Sequence, residues 1–338
     1  LLTASAPALP PILHVYRHGD RSPLSTYPTD PHKAAAWPHG FQQLSEVGIL
    51  QQKALGKFLR ERYAGFLSPS YKPQEIYVRS TDYDRTIMSA QANLMGLYPN
   101  SHPEIPWKPV PIHTVPAKYD KKTHNMSLPS WATAQVLATL SEIEVFNIEA
   151  HVGMHAAQEK ARFIGGLLLG AILSNFSKMV CQDLPLKMIM YSAHDSTLIA
   201  LQAALGVYNG HLPPYAACHG FEFYQESNNS FSVAMFYRNR SDQRPHILPL
   251  PGCPTPCPLP LFIHLTRTAI PKDWDAECQN PQSGPGNEIT FPILSSTELA
   301  KCRSPPFSVL SILLFVRFWW RLNPVYILFQ ARRTQAEN

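Results

Sequence analysis

The chain lacks most of the features that fix a function from composition alone. Charged residues make up only 16% of its 338 positions, the net charge is +5, and no long run of lysine and arginine occurs. This argues against a nucleic-acid-binding surface and leaves a modest pull on anions. Cysteine is scarce, with six at positions 181, 218, 253, 257, 278 and 302. Cys253-Pro-Thr-Pro-Cys257 would make half a zinc site, but no second CxxC or HxxxH pair stands near it. A small disulfide loop is the better reading. His151 and His155 are spaced for a metal, yet no carboxylate motif accompanies them. The apolar stretch near the C-terminus also lacks an uncharged run of spanning length. Arg317, Arg321 and Pro324 interrupt the apolar stretch from Phe307 to Phe329, and its longest uncharged piece, Ser304 to Val316, is shorter than the ~20 residues of a spanning helix. An interfacial or unpacked tail is expected there, with membrane association through that tail. No solenoid-type repeat is visible.

What is present suits a folded, secretory protein. Hydrophobic residues reach 45%, enough for a sizeable core, and the 33 prolines imply many fixed loops. Asn-x-Ser sequons begin at Asn125, Asn175, Asn228 and Asn239, and Leu1 to Ala6 reads as the remnant of a signal peptide. A glycosylated protein of the lysosome or extracellular space is the expectation.

Three times the chain runs from an apolar strand through a polar turn into a helix. Ile12 to Tyr16 leads into Arg17-His18-Gly19-Asp20-Arg21-Ser22-Pro23. After a Pro-, His- and Trp-rich loop, Ser45 offers an N-cap to a helix with Val47, Leu50, Ala54, Leu55 and Phe58 on its core face. Lys53, Lys57, Arg60 and Arg62 read as that helix's solvated side. Ile76 to Val78 runs into Arg79-Ser80-Thr81-Asp82-Tyr83-Asp84-Arg85-Thr86, where Asp82 is placed to cap a helix through Leu97. Lys187 to Tyr191 runs into Ser192-Ala193-His194-Asp195, and helical spacing resumes at Leu198. Further helices are expected over 131–146 and 155–176, the latter with Gly165-Gly166 for close packing, and over 259–266; a hairpin is expected from Phe221 to Tyr237. Such repeated units predict a mainly parallel α/β sheet. Ligands of these sheets bind beyond the carboxyl ends of the strands, where all three polar turns fall.

The turns carry phosphate chemistry. Guanidiniums match phosphate oxygens two at a time, and an imidazole near neutrality is a nucleophile or proton carrier. Any one Arg or His in such a turn is most simply a solvated residue, and Asp195 alone would serve as an N-cap. Their combination favours an anion site.

Arg17-His18-Gly19-Asp20-Arg21-Ser22-Pro23, an RHGxRxP motif, together with Ser192-Ala193-His194-Asp195 resembles the histidine acid phosphatase family of lysosomal and prostatic type, within the phosphoglycerate-mutase-like superfamily. Residues 9–116 and 124–279 carry the likeness. The resemblance implies a phosphomonoesterase working through a phosphohistidine. His18 would be the nucleophile, Arg17, Arg21, Arg85 and His194 would hold the phosphoryl group, and Asp195 would protonate the leaving alcohol. It implies no metal or other cofactor, small phosphomonoesters as substrates, and a homodimer. It also implies a discontinuous α/β catalytic domain, 9–116 with 165–279, flanking a helical cap at 117–164. Residues 280–338 are read as linker and tail.

The family carries a longer insertion where Ala117 to Lys122 bridges directly here, so the cap is reduced and Cys218 and Cys278 lose their usual partners. They would be unpaired, or joined to each other, to Cys181 or to Cys302, while Cys253–Cys257 still closes its loop. The alternative is a catalytically impaired splice-type variant that only binds phosphate or a partner.

Overall fold

The computed structural model describes residues 12–26, 30–99, 109–115, 157–182, 185–228, 230–273 and 277. The chain divides into two units, Leu1–Ile293 and Leu294–Asn338, and the described residues all belong to the first. The expected helix at 131–146, the pair His151 and His155, Asn125, Cys278, Cys302 and the apolar tail lie outside the described residues, as does the side chain of Cys181.

Among the described residues the strands β1 (Ile12–Arg17), β2 (Ile76–Ser80), β3 (Met188–Ala193), β4 (Cys218–Gln225), β5 (Phe231–Arg238), β6 (His246–Ile247) and β7 (Cys257–Pro258) form one sheet. Its order is β2-β3-β1-β4-β5-β6, with β7 also on β5. Five helices are described: α1 (Glu46–Arg62), α2 (Asp84–Leu97), α3 (Ala157–Gln182), α4 (Asp195–Ala204) and α5 (Leu259–Thr266). The α/β architecture is as expected, but the sheet is mixed rather than mainly parallel. β2, β3 and β1 run parallel, and every pairing beyond β1 is antiparallel. The cause lies in the connections. Helical crossovers join the first three strands and return the chain to the same end of the sheet, whereas the short turn between β4 and β5 can only reverse it.

Strand parity assigns the two faces. Ile12 and Tyr16 pack with Val78, Met188 and Met190 against Leu55 and Leu59 of α1 and Leu94 and Leu97 of α2. Leu13 has the opposite parity and pairs with Phe221, whose ring meets Phe176 of α3 at 6.3 Å. The pair Gly165-Gly166 does allow close approach: a Cβ on Gly165 would collide with the backbone of Ala200 in α4. Among the described residues no helix is long and apolar enough to cross a membrane.

Three expectations for α1 and α2 are corrected. Ser45 does cap α1, its Oγ accepting the Gly48 N–H at 3.1 Å. The buried face, however, is Gly48, Gln52, Leu55, Gly56 and Leu59, while Val47 and Leu50 are 56% and 65% exposed. Close backbone packing against α2 and the Arg17-His18-Gly19-Asp20 turn selects glycine over the bulkier apolar residues. Arg60 and Arg62 are likewise not simply solvated. Arg60 donates to the Leu67 and Ser68 carbonyls at 2.8 Å, and Arg62 pairs with Glu222 at 2.7 Å. Asp82 is exposed and caps nothing: α2 starts at Asp84, and its N-cap, Tyr83, makes no side-chain capping bond.

The Cys253–Cys257 disulfide is closed, and Cys218 is buried on β4 with no disulfide partner among the described residues.

Candidate active site

The parallel half of the sheet builds the site. Arg17 of β1 stands beside Ala193 of β3, and Ser80 of β2 beside Ser192, so the next residues of each strand, His18, His194 and Thr81, emerge together. The ladder continues into the turns: His18 N–H donates to Ala193 O at 2.9 Å and Thr81 N–H to Ser192 O at 3.1 Å. The rings of His18 and His194 lie 5.5 Å apart, edge to face.

Gly19 and Gly48 fix the turn against α1. A Cβ on either would collide with backbone, that of Gly48 in the first case and of Asp20 in the second. Asp20 adds three bonds that hold the loop: its N–H to Gln51 Oε1 at 2.8 Å, its carbonyl from Ser45 N–H at 2.9 Å, and its carboxylate from Ser45 Oγ at 2.5 Å. Gln52 reaches under the site to donate to the Arg17 carbonyl at 2.8 Å.

His18 is buried, and its Nδ1 lies 2.7 Å from the Gly19 carbonyl. A carbonyl can only accept, so Nδ1 carries the proton and Nε2 keeps its lone pair. Burial first drives the His18 pKa down to about 2; the Gly19 bond opposes this, and His194, Arg17 and Arg85 add to it. The ring is therefore neutral. His194 is lowered to about 3, by burial first and then by Arg85.

Arg17 donates to Pro213 O at 2.6 Å, pairs with Asp195 at 2.7 Å and lies over the Tyr215 ring at 4.2 Å. Arg85 is buried, lies over the Tyr83 ring at 4.8 Å and has no ion-pair partner among the described residues. Arg21 donates to the Ser22 carbonyl at 2.9 Å. Burial and then Arg21 lower the affinity of Arg85 for its proton, a mark of cations held close together. Of the three guanidiniums only that of Arg17 pairs with a carboxylate among the described residues, which leaves a net positive charge suited to a phosphate monoester dianion. Nε of Arg17, Arg21 and Arg85 is in each case buried without a partner among the described residues.

All six residues singled out from the sequence for chemistry, Arg17, His18, Arg21, Arg85, His194 and Asp195, therefore gather at one end of the parallel strands. The sequence reading missed Thr81, Tyr83 and Tyr215. Tyr83 and Tyr215 each back an arginine and meet an imidazole, at 5.1 Å from His194 and 5.8 Å from His18 respectively. Tyr215 lies in a Pro-rich loop with no periodicity to mark it. The sequon residues lie apart: Asn228 is exposed in the β4–β5 turn, Asn239 follows β5, and Asn175 Nδ2, the atom a glycan would take, donates to Tyr191 Oη at 3.2 Å.

The model of the histidine phosphatase superfamily (branch 2) matches residues 12–142 and 131–238, and the chain belongs to that family. It is 44% identical over 359 residues to testicular acid phosphatase of Mus musculus, covering 83% of this chain and 84% of the relative. It is 41% identical over 378 residues to lysosomal acid phosphatase of Homo sapiens, covering 92% and 88%. Both alignments are longer than this chain, as an insertion in the relatives requires. Among solved structures, the apo form of a Hafnia alvei phytase has a like fold, with a TM-score of 0.56 at 15% identity over 79% of this chain and 98% of that one.

Proposed function

We propose that the protein is an acid phosphatase that hydrolyses phosphomonoesters through a phosphohistidine on His18. The observation that carries this reading is a neutral imidazole with a bare Nε2, set among three guanidiniums that one carboxylate only partly neutralises. Phosphoryl transfer asks mainly for positioning and charge stabilisation, which this arrangement supplies. Arg17, Arg21, Arg85 and His194 hold the phosphoryl oxygens. Asp195, a carboxylate paired with Arg17 in the free site, takes up one proton with the bound ester; Nε2 of His18 attacks phosphorus as the ester P–O bond breaks, and Asp195 passes that proton to the leaving alkoxide. The resulting carboxylate then takes a proton from water as that water attacks phosphorus. The N–P bond breaks, inorganic phosphate leaves, Asp195 gives up its proton, and both side chains return to their starting states.

The impaired-variant alternative is not favoured, because the phosphate-facing residues remain together. Residues 117–164 fit a reduced cap in this reading, the names of the relatives support a lysosomal or secreted location, and Asn228 is the sequon residue best exposed for a glycan. Purified protein should hydrolyse a chromogenic aryl phosphate at about pH 5, and a His18→Ala variant should not. Equal rates for the two proteins would overturn the reading.

A further inference from the structure

His194 Nε2 lies 3.0 Å from Thr81 Oγ1. The direction of that bond follows from the hydroxyls behind it. Thr86 Oγ1 lies 2.9 Å from the Thr81 carbonyl and 2.8 Å from the Tyr83 carbonyl, so its single proton goes to a carbonyl. Thr81 Oγ1 then donates to Thr86 Oγ1 at 2.9 Å. With its proton committed, Thr81 can only accept from the imidazole. Among the described residues the His194 ring has no other hydrogen-bond partner.

We propose that Thr81, backed by Thr86, is a positioning residue that holds His194 in the Nε2–H form, so that Nδ1 is offered to the phosphoryl group and takes up a proton as a phosphate dianion binds. This rests on the function proposed above. A bare Nδ1 and a dianion oxygen both only accept, so contact between them needs one added proton. The groups facing His194 set when that proton arrives. Arg17 and Arg21 of the first turn, Arg85 at the start of α2 and the His18 ring oppose it, and Asp195 at the start of α4 favours it. Tyr83 contributes its ring edge-on. A bound dianion outweighs the opposition, which makes phosphate binding proton-linked and stronger in acid. The two site imidazoles are then opposite tautomers, His18 protonated on Nδ1 and His194 on Nε2.

Two-bond nitrogen–proton correlation spectra of the histidine-labelled full chain test this, with resonances assigned by His18→Gln and His194→Gln variants. In the free protein at about pH 7 the two rings should show opposite tautomers, and inorganic phosphate should turn His194 into an imidazolium. Thr81→Val should leave His194 a mixture of tautomers and lower kcat/KM about 10- to 100-fold, while Thr81→Ser should behave as the parent in both respects. An Nδ1–H form of His194 in the parent protein, or a His194 that stays neutral with phosphate bound, overturns the proposal even if Thr81→Val fails to fold. Failure of hydrolysis with the tautomers as stated would count against the proposed activity and not against this arrangement.

Discussion

Arg85→Gln should lower kcat/KM for an aryl phosphate by about 10³-fold, the scale at which a preorganised charge aimed at a transition state contributes. The same substitution should leave Tm unchanged or raise it. Arg85 is a buried cation with no ion-pair partner among the described residues, within the repulsive field of Arg21 and Arg17. Removing such a charge relieves desolvation and repulsion. Opposite movements of activity and stability are the signature of a group placed for function. Steady-state kinetics and thermal melts of the two proteins decide the matter. A Tm lowered by several degrees with full activity per folded molecule would make Arg85 a structural residue.

Acid should destabilise the free protein strongly. His14 and His219 are fully buried, and their pKa values are lowered from 6.5 to about 3 in both cases, by burial first. Below about pH 6.5 the unfolded chain binds protons that these folded rings refuse, so stability falls with pH from there down to about 3. Each core histidine contributes about 2 kcal/mol of loss between pH 7 and pH 5. His18 and His194 shift in the same direction. Glu222 extends the effect. Burial alone would raise its carboxyl, but Arg62, Tyr224 and Tyr63 outweigh burial and hold it below its usual range, so its contribution is lost as pH drops through and below about 4.5. The expected Tm difference between pH 7 and pH 5 is on the order of 10 °C. Inorganic phosphate should recover part of it by binding only the folded state. His219 stacks on Phe221, and neither ring nitrogen has a partner among the described residues. His219→Phe should therefore flatten the pH dependence between 7 and 5 and raise Tm at pH 5. A Tm independent of pH over that interval would contradict these buried neutral rings.

Local pattern made the site legible before the fold was. Each strand–turn–helix unit announces itself by a short apolar run, a polar turn and helical spacing. The turns hold side chains whose shared chemistry is evident without coordinates. Whatever depended on distant partners was not legible. Arg62 looked like a solvated residue because Glu222, 160 positions away, is invisible to periodicity. Val47 and Leu50 looked like core because apolar spacing is the usual sign of a buried face. Here glycine and glutamine take that face, where α1 presses on backbone. The antiparallel half of the sheet was foreshadowed only by one hairpin, since the pairing of β4 with β1 leaves no trace in either strand's own sequence. Thr81 was hidden for a similar reason: a threonine in a polar turn is ordinary until an imidazole from 113 residues away meets it.

The measurement that bears most directly on the central claim is rapid mixing with a phosphate-labelled ester, followed by quenching and peptide mapping. The label should appear on His18, survive base, be released by acid and be absent from His18→Ala. Turnover with no labelled protein, or label that persists in the His18→Ala chain, would contradict a reaction that passes through this imidazole.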